Sequence, residues 1–271
     1  MTGNYNQRKG IRMKSSQIMK WFSLAILTFP LLSASAQTPA ITNAPPKPKW
    51  ISDVSAGVTL TRGNSDTTLA TLTANTDRKT DENEWNFGGN ATYGKAKVTA
   101  GGTTVDSTTA QNADAFLQYN QLLNDRFYIY ARVEGYHDDI ADIHYRLTIG
   151  PGAGYYFIKQ TNIDFSAEAG PAYISEHLGN QHLDFATLRV SEKFHCQLSD
   201  RARIWETAEI DPDVGDIKNY IVTSEIGVEA DLTAAKNLSL QVYWDDNFNS
   251  KPVPGRQRND AKFVAALDYK F

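Results

Sequence analysis

Charged side chains suited to an enclosed aqueous space recur at every second position in several segments of the chain. The candidate lumen-lining residues are Arg132, Glu134, Arg146, Asp164, Glu168, Glu225, Glu229, Asp245 and Lys262. Charged residues in such a space either pair with one another or line a path for ions. Acids outnumber bases, so a path would prefer cations mildly. The spacing leaves both roles open, an ion-paired plug and a narrow path.

Two stretches raise the alternative of an enzyme that acts on lipids. A serine beside a histidine can form an activated nucleophile, and the candidates are His137 in GYHDDI and Ser175 with His177 in SEHLGNQH. Neither stretch has the paired motif of a nucleophile and its base, and a loop histidine beside acids is ordinarily solvated. We therefore predict no catalytic residues and no enzyme activity.

Metal and cofactor signals are weak. Glu176, His177 and His182 fall in one predicted outer loop, and DDIAD and DPDVGD are acidic. DPDVGD lacks the ligand spacing and the bidentate glutamate of a calcium loop, so we predict no metal site. GPGAG at 150–154 lacks the G-x-G-x-x-G spacing and opens no helix, so no cofactor is expected. Its three glycines share the inward parity, which predicts room for bulky side chains from neighbouring strands.

A two-residue period positions all of these residues from Trp50 onward. In the last segment, 260–271, apolar residues occupy one parity and Asp or Lys the other, as in a β-strand. About twelve such runs of roughly ten to fourteen residues recur. Twelve tilted residues span about 28 Å, the thickness of a bilayer's hydrocarbon. The fold class is therefore an all-β, transmembrane, antiparallel up-and-down barrel of the outer-membrane type, with apolar residues facing lipid.

The connections and the aromatic residues support the same fold. Short segments (KTDEN, LND, KQTN, QLSD, TAAK) alternate with longer ones (KVTAGGTTVDST, DDIAD, SEHLGNQH, DPDVGDIKN, FNSKPVPGRQRN), as do inner turns and outer loops of such barrels. The tight turn GNSD at 63–66 is the exception. Aromatic residues on the apolar parity form two predicted girdles. The inner girdle comprises Trp85, Phe127, Tyr155, Phe157, Tyr269 and Phe271, and the outer one Tyr93, Tyr145, Tyr173 and Trp244.

Two Gly-Pro pairs predict an irregularity in the wall. Pro151 and Pro171 belong to strands joined by KQTN, which places the prolines within about one rung of each other. Each proline removes a donor from the ladder, so we predict a bulge or local gap there.

The amino-terminal segment predicts export. Five basic residues precede WFSLAILTFPLLSASA, which ends in small residues, so residues 1–36 are interpreted as a signal peptide. Residues 37–49 form a Pro-rich lead-in and residues 50–271 the barrel. Removing the signal leaves 22 basic and 31 acidic residues, a net charge of −9, which argues against nucleic acid as a partner. Cys196 is the only cysteine, so no internal disulfide is expected.

Several stretches resemble the YdiY-like family, labelled salt-induced outer-membrane proteins (domain of unknown function 481). They are GNSDTTLATLTANTDRKTDENEWNFGGNATYG, YNQLLNDRFYIYARVEGYHDDI, HYRLTIGPGAGYY and LDYKF. The resemblance covers about 50–271. It implies an outer-membrane barrel of a Gram-negative bacterium and no established activity.

The carboxyl terminus resembles the signal that outer-membrane proteins present to the barrel-assembly machinery. Leu267, Tyr269 and the terminal Phe271 are the candidate residues. We expect a monomer surrounded by outer-membrane lipid and lipopolysaccharide, acting as a narrow passive pore or as an envelope component in osmotic stress. The alternatives are an adhesin, a lipid-acting enzyme and a soluble ligand-binding barrel.

Overall fold

The computed structural model describes residues 49–61, 66–100 and 103–271 and consists of twelve β-strands. They are β1 (Ile51–Thr61), β2 (Asp66–Lys79), β3 (Asn83–Ala100), β4 (Thr103–Leu122), β5 (Phe127–Asp138), β6 (Ile143–Lys159), β7 (Ile163–Leu178), β8 (Gln181–Ser199), β9 (Ala202–Pro212), β10 (Tyr220–Asp231), β11 (Leu238–Asn249) and β12 (Asn259–Lys270). None of the described residues forms a helix long and apolar enough to cross a membrane.

The strands form one closed ring in which each pairs antiparallel with its neighbours in the sequence. The ring closes between β1 and β12 through five registered pairs, from Asp53 opposite Lys270 to Gly57 opposite Ala266. Because the strand number is even, the described start of β1 and the end of β12 lie at the same end of the barrel, which we name the inner end. The opposite end is the outer end. The predicted fold class, a twelve-stranded up-and-down barrel, is confirmed.

The apolar parity faces outward. Ile149, Leu240 and Phe263 are 55%, 40% and 60% exposed, whereas Glu134 and Asp245 are partly buried on the lumen side. Outward apolar side chains would be unfavourable in water but are stable against acyl chains. The two-residue period therefore separates a lipid-facing surface from a polar interior.

Aromatic side chains cluster where the girdles were predicted. Tyr155 contacts Phe157 with ring centroids 5.2 Å apart, and Phe157 contacts Phe165 at 5.5 Å. At the same end Trp85 and Tyr119 lie 4.6 Å apart. The remaining predicted girdle residues are exposed, except for Phe127, which is half-buried.

Two predicted outer loops were wrong, because their residues extend the strands instead. KVTAGGTTVDST belongs to the β3–β4 hairpin, whose strands pair as far as Ala100 opposite Thr103. SEHLGNQH contributes the ends of β7 and β8 around a turn at Gly179 and Asn180. Strand lengths accordingly run from 11 to 20 residues, beyond the predicted ten to fourteen. Backbone pairing continues past the hydrocarbon layer because it requires no apolar face.

The predicted irregularity at the two prolines is confirmed as a local gap. Pairing between β6 and β7 stops at Ile149 opposite Tyr173 and resumes at Ala153 opposite Ala169, without a change of register. Pro151 thus lies opposite Pro171, and neither has an N–H to donate. A bulge at this point, the other form predicted, is absent from the β6–β7 ladder that the structure describes.

The signal peptide, all but Lys49 of the lead-in, and most of the first hairpin turn lie outside the described residues. The sequence-based predictions for these segments stay predictions.

A charge placed on the outer surface of the wall should be costly. Ile226 lies near the middle of β10 and is 49% exposed. We expect Ile226→Arg to lower the free energy of unfolding by about 2–4 kcal/mol, because the guanidinium would face acyl chains. Urea unfolding in phospholipid vesicles measures this. Thr223→Arg, on the lumen side of the same strand, is the matched control, and an equal loss in both variants would contradict the assignment of faces.

Candidate functional site

The interior of the barrel is polar, and its centre is a buried carboxylate. Glu168 on β7 is 2% exposed. It accepts hydrogen bonds from Arg189 Nη1 at 2.9 Å, Lys193 Nζ at 3.2 Å and Gln118 Nε2 at 2.8 Å. The hydroxyl of Tyr128 donates a further bond at 2.9 Å. Two cations on β8 and two neutral donors on β4 and β5 thus satisfy one acid, as burial of a charge requires.

Arg189 extends this network to the next strand. Its Nη2 lies 2.5 Å from Oε2 of Glu209 on β9, and its Nη1 donates to the Tyr130 hydroxyl at 3.0 Å. The guanidinium therefore joins β5, β7, β8 and β9 across the inside of the wall, a geometry that its planar fork allows.

Three tyrosines fill the lumen beside β6. Tyr128, Tyr130 and Tyr156 are 1%, 5% and 7% exposed and form one cluster. Their hydroxyls reach charged partners, since Tyr156 donates to Glu84 at 2.8 Å and the other two bond within the Glu168 network. Each tyrosine thus buries its ring and keeps its polar tip paired.

Glycines on β6 provide the space for two of these rings. A Cβ atom at Gly152 would overlap the ring and hydroxyl of Tyr130, and one at Gly154 would overlap the ring of Tyr128. This agrees with the role predicted for these glycines. For Gly150 the prediction was wrong, because the close neighbour is the backbone of Pro171 on β7. The proline gap is therefore a tight approach of two backbones.

A second ionic group lies at the inner end, on the wall formed by β9 to β12. Glu229 on β10 pairs with Lys270 at 2.6 Å and with Arg203. Nearer the outer end of this wall, the indole of Trp205 donates to Glu225 at 2.6 Å. Lys262 Nζ lies 3.6 Å from Asp245 Oδ1.

A cavity of about 1040 Å³ remains between the filled side and this second wall. It is lined at the inner end by residues that include Asp53 and Lys270, and at the outer end by Asp138 and Asp260. Every strand except β6 and β7 contributes to its lining. The lining therefore extends from one end of the barrel to the other.

The cavity is acidic. Its lining contains twelve Asp or Glu residues and six Lys or Arg residues. At the inner end Arg203 and Lys270 lie beside acids such as Asp53 and Glu229. The outer end carries Asp138, Asp246 and Asp260. Carboxylates in this number give the outer mouth a negative electrostatic potential.

The predicted lumen-lining residues divide by strand. Those on β5, β10, β11 and β12 line the cavity, namely Arg132, Glu134, Glu225, Glu229, Asp245 and Lys262. The three on β6 and β7 do not line it. Arg146 is buried against Glu176 at 2.7 Å, Asp164 lies 3.3 Å from His195 Nδ1, and Glu168 is enclosed by its donors.

Sequence reasoning missed the cations that organise the lumen. Arg189 and Lys193 on β8 and Arg203 on β9 were not among the predicted residues, although all three bind the central acids. The sequence contains a pattern that places Arg189 in the lumen, because Leu188 and Val190 alternate with Arg189 and Ser191 in the same two-residue period.

The residues considered for hydrolysis and metal binding separate onto different faces. Glu176 points into the lumen towards Arg146. The rings of His177 and His182 stack on the outer surface of the wall, with centroids 4.0 Å apart. The ring of His144 lies 4.6 Å from His177. No hydrogen bond joins Ser175 to His177 among the described residues, and His137 instead contacts Asp139 at 3.1 Å.

The three residues of the candidate assembly signal lie on the outer surface. Leu267, Tyr269 and Phe271 are each at least half exposed. Tyr269 and Phe271 lie next to each other at the inner end, with ring centroids 6.4 Å apart. Their recognition by the assembly machinery stays a prediction.

Residues 54–271 match the model of a protein family described as "Protein of unknown function, DUF481". No curated protein matches this sequence. Solved structures that resemble the barrel include the NanC porin, with 7% sequence identity, a TM-score of 0.45 and coverage of 81% of this chain and 97% of that one. An outer-membrane channel from Pseudomonas putida F1 has 10% identity and a TM-score of 0.46, covering 87% of this chain and 99% of that one. The translocator domain of the autotransporter NalP from Neisseria meningitidis has 14% identity and a TM-score of 0.42, with coverage of 82% and 87%.

Removal of the central negative charge should destabilise the barrel. We expect Glu168→Gln to lower the free energy of unfolding by about 3 kcal/mol, because Arg189 would lose a buried partner. Urea unfolding in vesicles measures this loss. Asp164→Asn is the matched acid-to-amide control on the same strand. Its partner His195 has a side chain that is 38% exposed, so we expect a loss below about 1 kcal/mol. Similar losses in the two variants would show that Glu168 has no central role.

The space beside β6 can be tested by adding one methyl group. We expect Gly152→Ala to lower the free energy of unfolding by about 1–3 kcal/mol, because the new Cβ would overlap Tyr130. At Gly135 a Cβ would meet nothing within 4 Å, so Gly135→Ala should be neutral. Thermal unfolding followed by circular dichroism compares them, and a neutral Gly152→Ala would refute the close packing.

Proposed function

Because the chain belongs to the DUF481 family of proteins of unknown function, we propose its function from the geometry: a narrow, passive, cation-preferring pore in the outer membrane of a Gram-negative bacterium. The observation that carries the proposal is the cavity, whose lining reaches from Asp53 and Lys270 at one end to Asp138 and Asp260 at the other. A closed wall with an apolar outer surface and an aqueous interior has the physical properties of a passage through a bilayer.

The location is part of the proposal. Outward Leu, Ile, Val and aromatic residues favour surrounding outer-membrane lipid and lipopolysaccharide, and the inner end would face the periplasm. In such a membrane the barrel would act as a monomer after insertion by the assembly machinery. The ring has no free strand edge among its described residues, so it needs no second copy to complete its pairing.

Selectivity would come from the outer half of the cavity. Asp114, Glu225 and Asp245 line it there, and Lys262 is the cation placed among them. Fixed carboxylates with few compensating cations attract mobile cations and repel anions. The pore would therefore carry K⁺ and Na⁺ in preference to Cl⁻.

A structural role in the envelope is the second candidate. The network of Glu168, Arg189 and the three lumen tyrosines fills the β5–β8 side of the interior, which would stiffen the wall without any transport. No current from the purified protein at any voltage would favour this role and reject the pore.

The pore proposal predicts a charge effect on selectivity. We expect the purified protein in planar bilayers under a KCl gradient to give a reversal potential on the cation-selective side. Lys262→Glu should move the reversal potential further towards that of K⁺, because it replaces a cation of the lining by an acid. Lys95→Glu is the matched control on the outer surface, where Lys95 lies over the Tyr93 ring, and it should leave the potential unchanged. Equal shifts in both variants would place the selective charges outside the lumen.

A further inference from the structure

The outer end of the cavity lies beside the loop between β11 and β12, residues 250–258, here named the strap. In a ring of twelve strands β12 lies opposite β6. Nevertheless Pro252 and Arg258 of the strap line one small cavity together with Ile143 and Leu178 of β6 and β7. The strap therefore crosses the outer mouth and reaches the far wall.

The tip of the strap is seated against the β7–β8 turn. Two methyl carbons of Val253 lie 3.4 and 3.5 Å from the position of a Cβ atom on Gly179. The N–H of Arg256 donates to the carbonyl of Val253 at 2.9 Å, which closes a turn at the tip. Prolines on both sides of Val253 restrict the backbone of this turn. The tip is thus a compact turn.

The strap and the residues around the outer mouth carry charges of opposite sign. It contains Lys251, Arg256 and Arg258 and no acid, whereas the loops and strand ends around it carry Asp138, Asp139, Asp142, Asp213, Asp216, Asp246 and Asp260. Lys251 Nζ lies 2.5 Å from Asp216 Oδ2 on the β9–β10 loop. The hydrogen bond from Lys251 lowers the pKa of Asp216 below its usual value. The pair is therefore ionised at neutral pH and is lost only as the pH falls through that lowered pKa.

The strap also borders the passage directly. Tyr136, Asn247 and Asp260 line both the large cavity and the small one under the strap. Tyr136 lies on β5 and Asp260 on β12, so the mouth is narrow in the direction that the strap crosses. A displacement of the strap away from Gly179 would widen this part of the passage.

We propose that the strap is a gate that partly closes the outer mouth and is held there by the pair of Lys251 and Asp216. This inference rests on the proposed pore function. Both side chains of the pair are about half exposed, and exposed pairs are weak. The strap is therefore held loosely enough to open and close.

Reversing one charge of the pair tests the gate. Lys251→Glu should repel Asp216 and lower the ratio of closed to open time of single channels about two- to fivefold, the range expected for an exposed ion pair. The swapped variant Asp216→Lys/Lys251→Glu should return the ratio towards that of the wild type. Lys95→Glu is the matched control, because it makes the same charge change on the outer surface of the wall, where Lys95 lies over the Tyr93 ring. An unchanged ratio in Lys251→Glu, or the same change in Lys95→Glu, overturns the proposal.

A disulfide tests the seat of the strap without relying on charge. Val253→Cys with Gly179→Cys, in a Cys196→Ser background, places two thiols within bridging distance. Oxidation should hold the channel at one low conductance level, and reduction should restore switching. Because Gly179 has a φ of +60°, each single variant is first checked for folding by circular dichroism.

The two proposals fail in different ways. If the disulfide does not form in the folded protein, or if oxidised channels switch like the wild type, the gate is rejected and the pore stands. If every variant, oxidised or reduced, gives no current, the pore is rejected and the gate with it. Formation of the disulfide under those conditions would still place the strap across the mouth.

Discussion

Pairing of the backbone within hydrocarbon is the constraint on which this structure depends. An N–H or C=O group without a partner costs several kcal/mol in the bilayer core, and a sheet can pair all of them only as a closed ring. Closure then leaves each strand with one face towards lipid and one towards the lumen. The two-residue alternation of apolar and polar residues follows from this division. Even the proline gap between β6 and β7 respects the constraint in part, because the ladders of β6 with β5 and of β7 with β8 continue past the two prolines.

The alternation made the fold, the strand number and the direction of most side chains predictable from the sequence. Phe263 and Leu240 could be assigned to the lipid face because parity alone decides it. The ends of strands could not be predicted as well. The polar residues of SEHLGNQH suggest a loop, yet they pair as β7 and β8 beyond the hydrocarbon, where a strand needs no apolar face. Hydrophobic patterning reports on the membrane-spanning part of a strand and carries little information on its extension.

Parity also could not predict partners across the lumen. It placed Glu168 and Glu225 on the same inner face, but Glu168 is enclosed by donors and Glu225 lines the cavity. The different surroundings of the two glutamates depend on side chains that lie beyond their immediate neighbours. Small residues on β6 allow the tyrosines of β5 to lie flat against the wall, and these rings in turn bring Arg189 and Glu168 together. Filling of the interior is therefore one-sided, and the passage remains where the strands carry short polar side chains instead.

The seam between β1 and β12 has a consequence for biogenesis. Its registered pairs, such as Gly57 with Ala266, join residues roughly two hundred positions apart. All other strand pairings are between consecutive strands, so this pairing has by far the largest closure entropy. Without β12 the sheet keeps two bare edges that can recruit strands from other chains. A polypeptide truncated before its last strand would therefore be an aggregation hazard and not a smaller closed barrel.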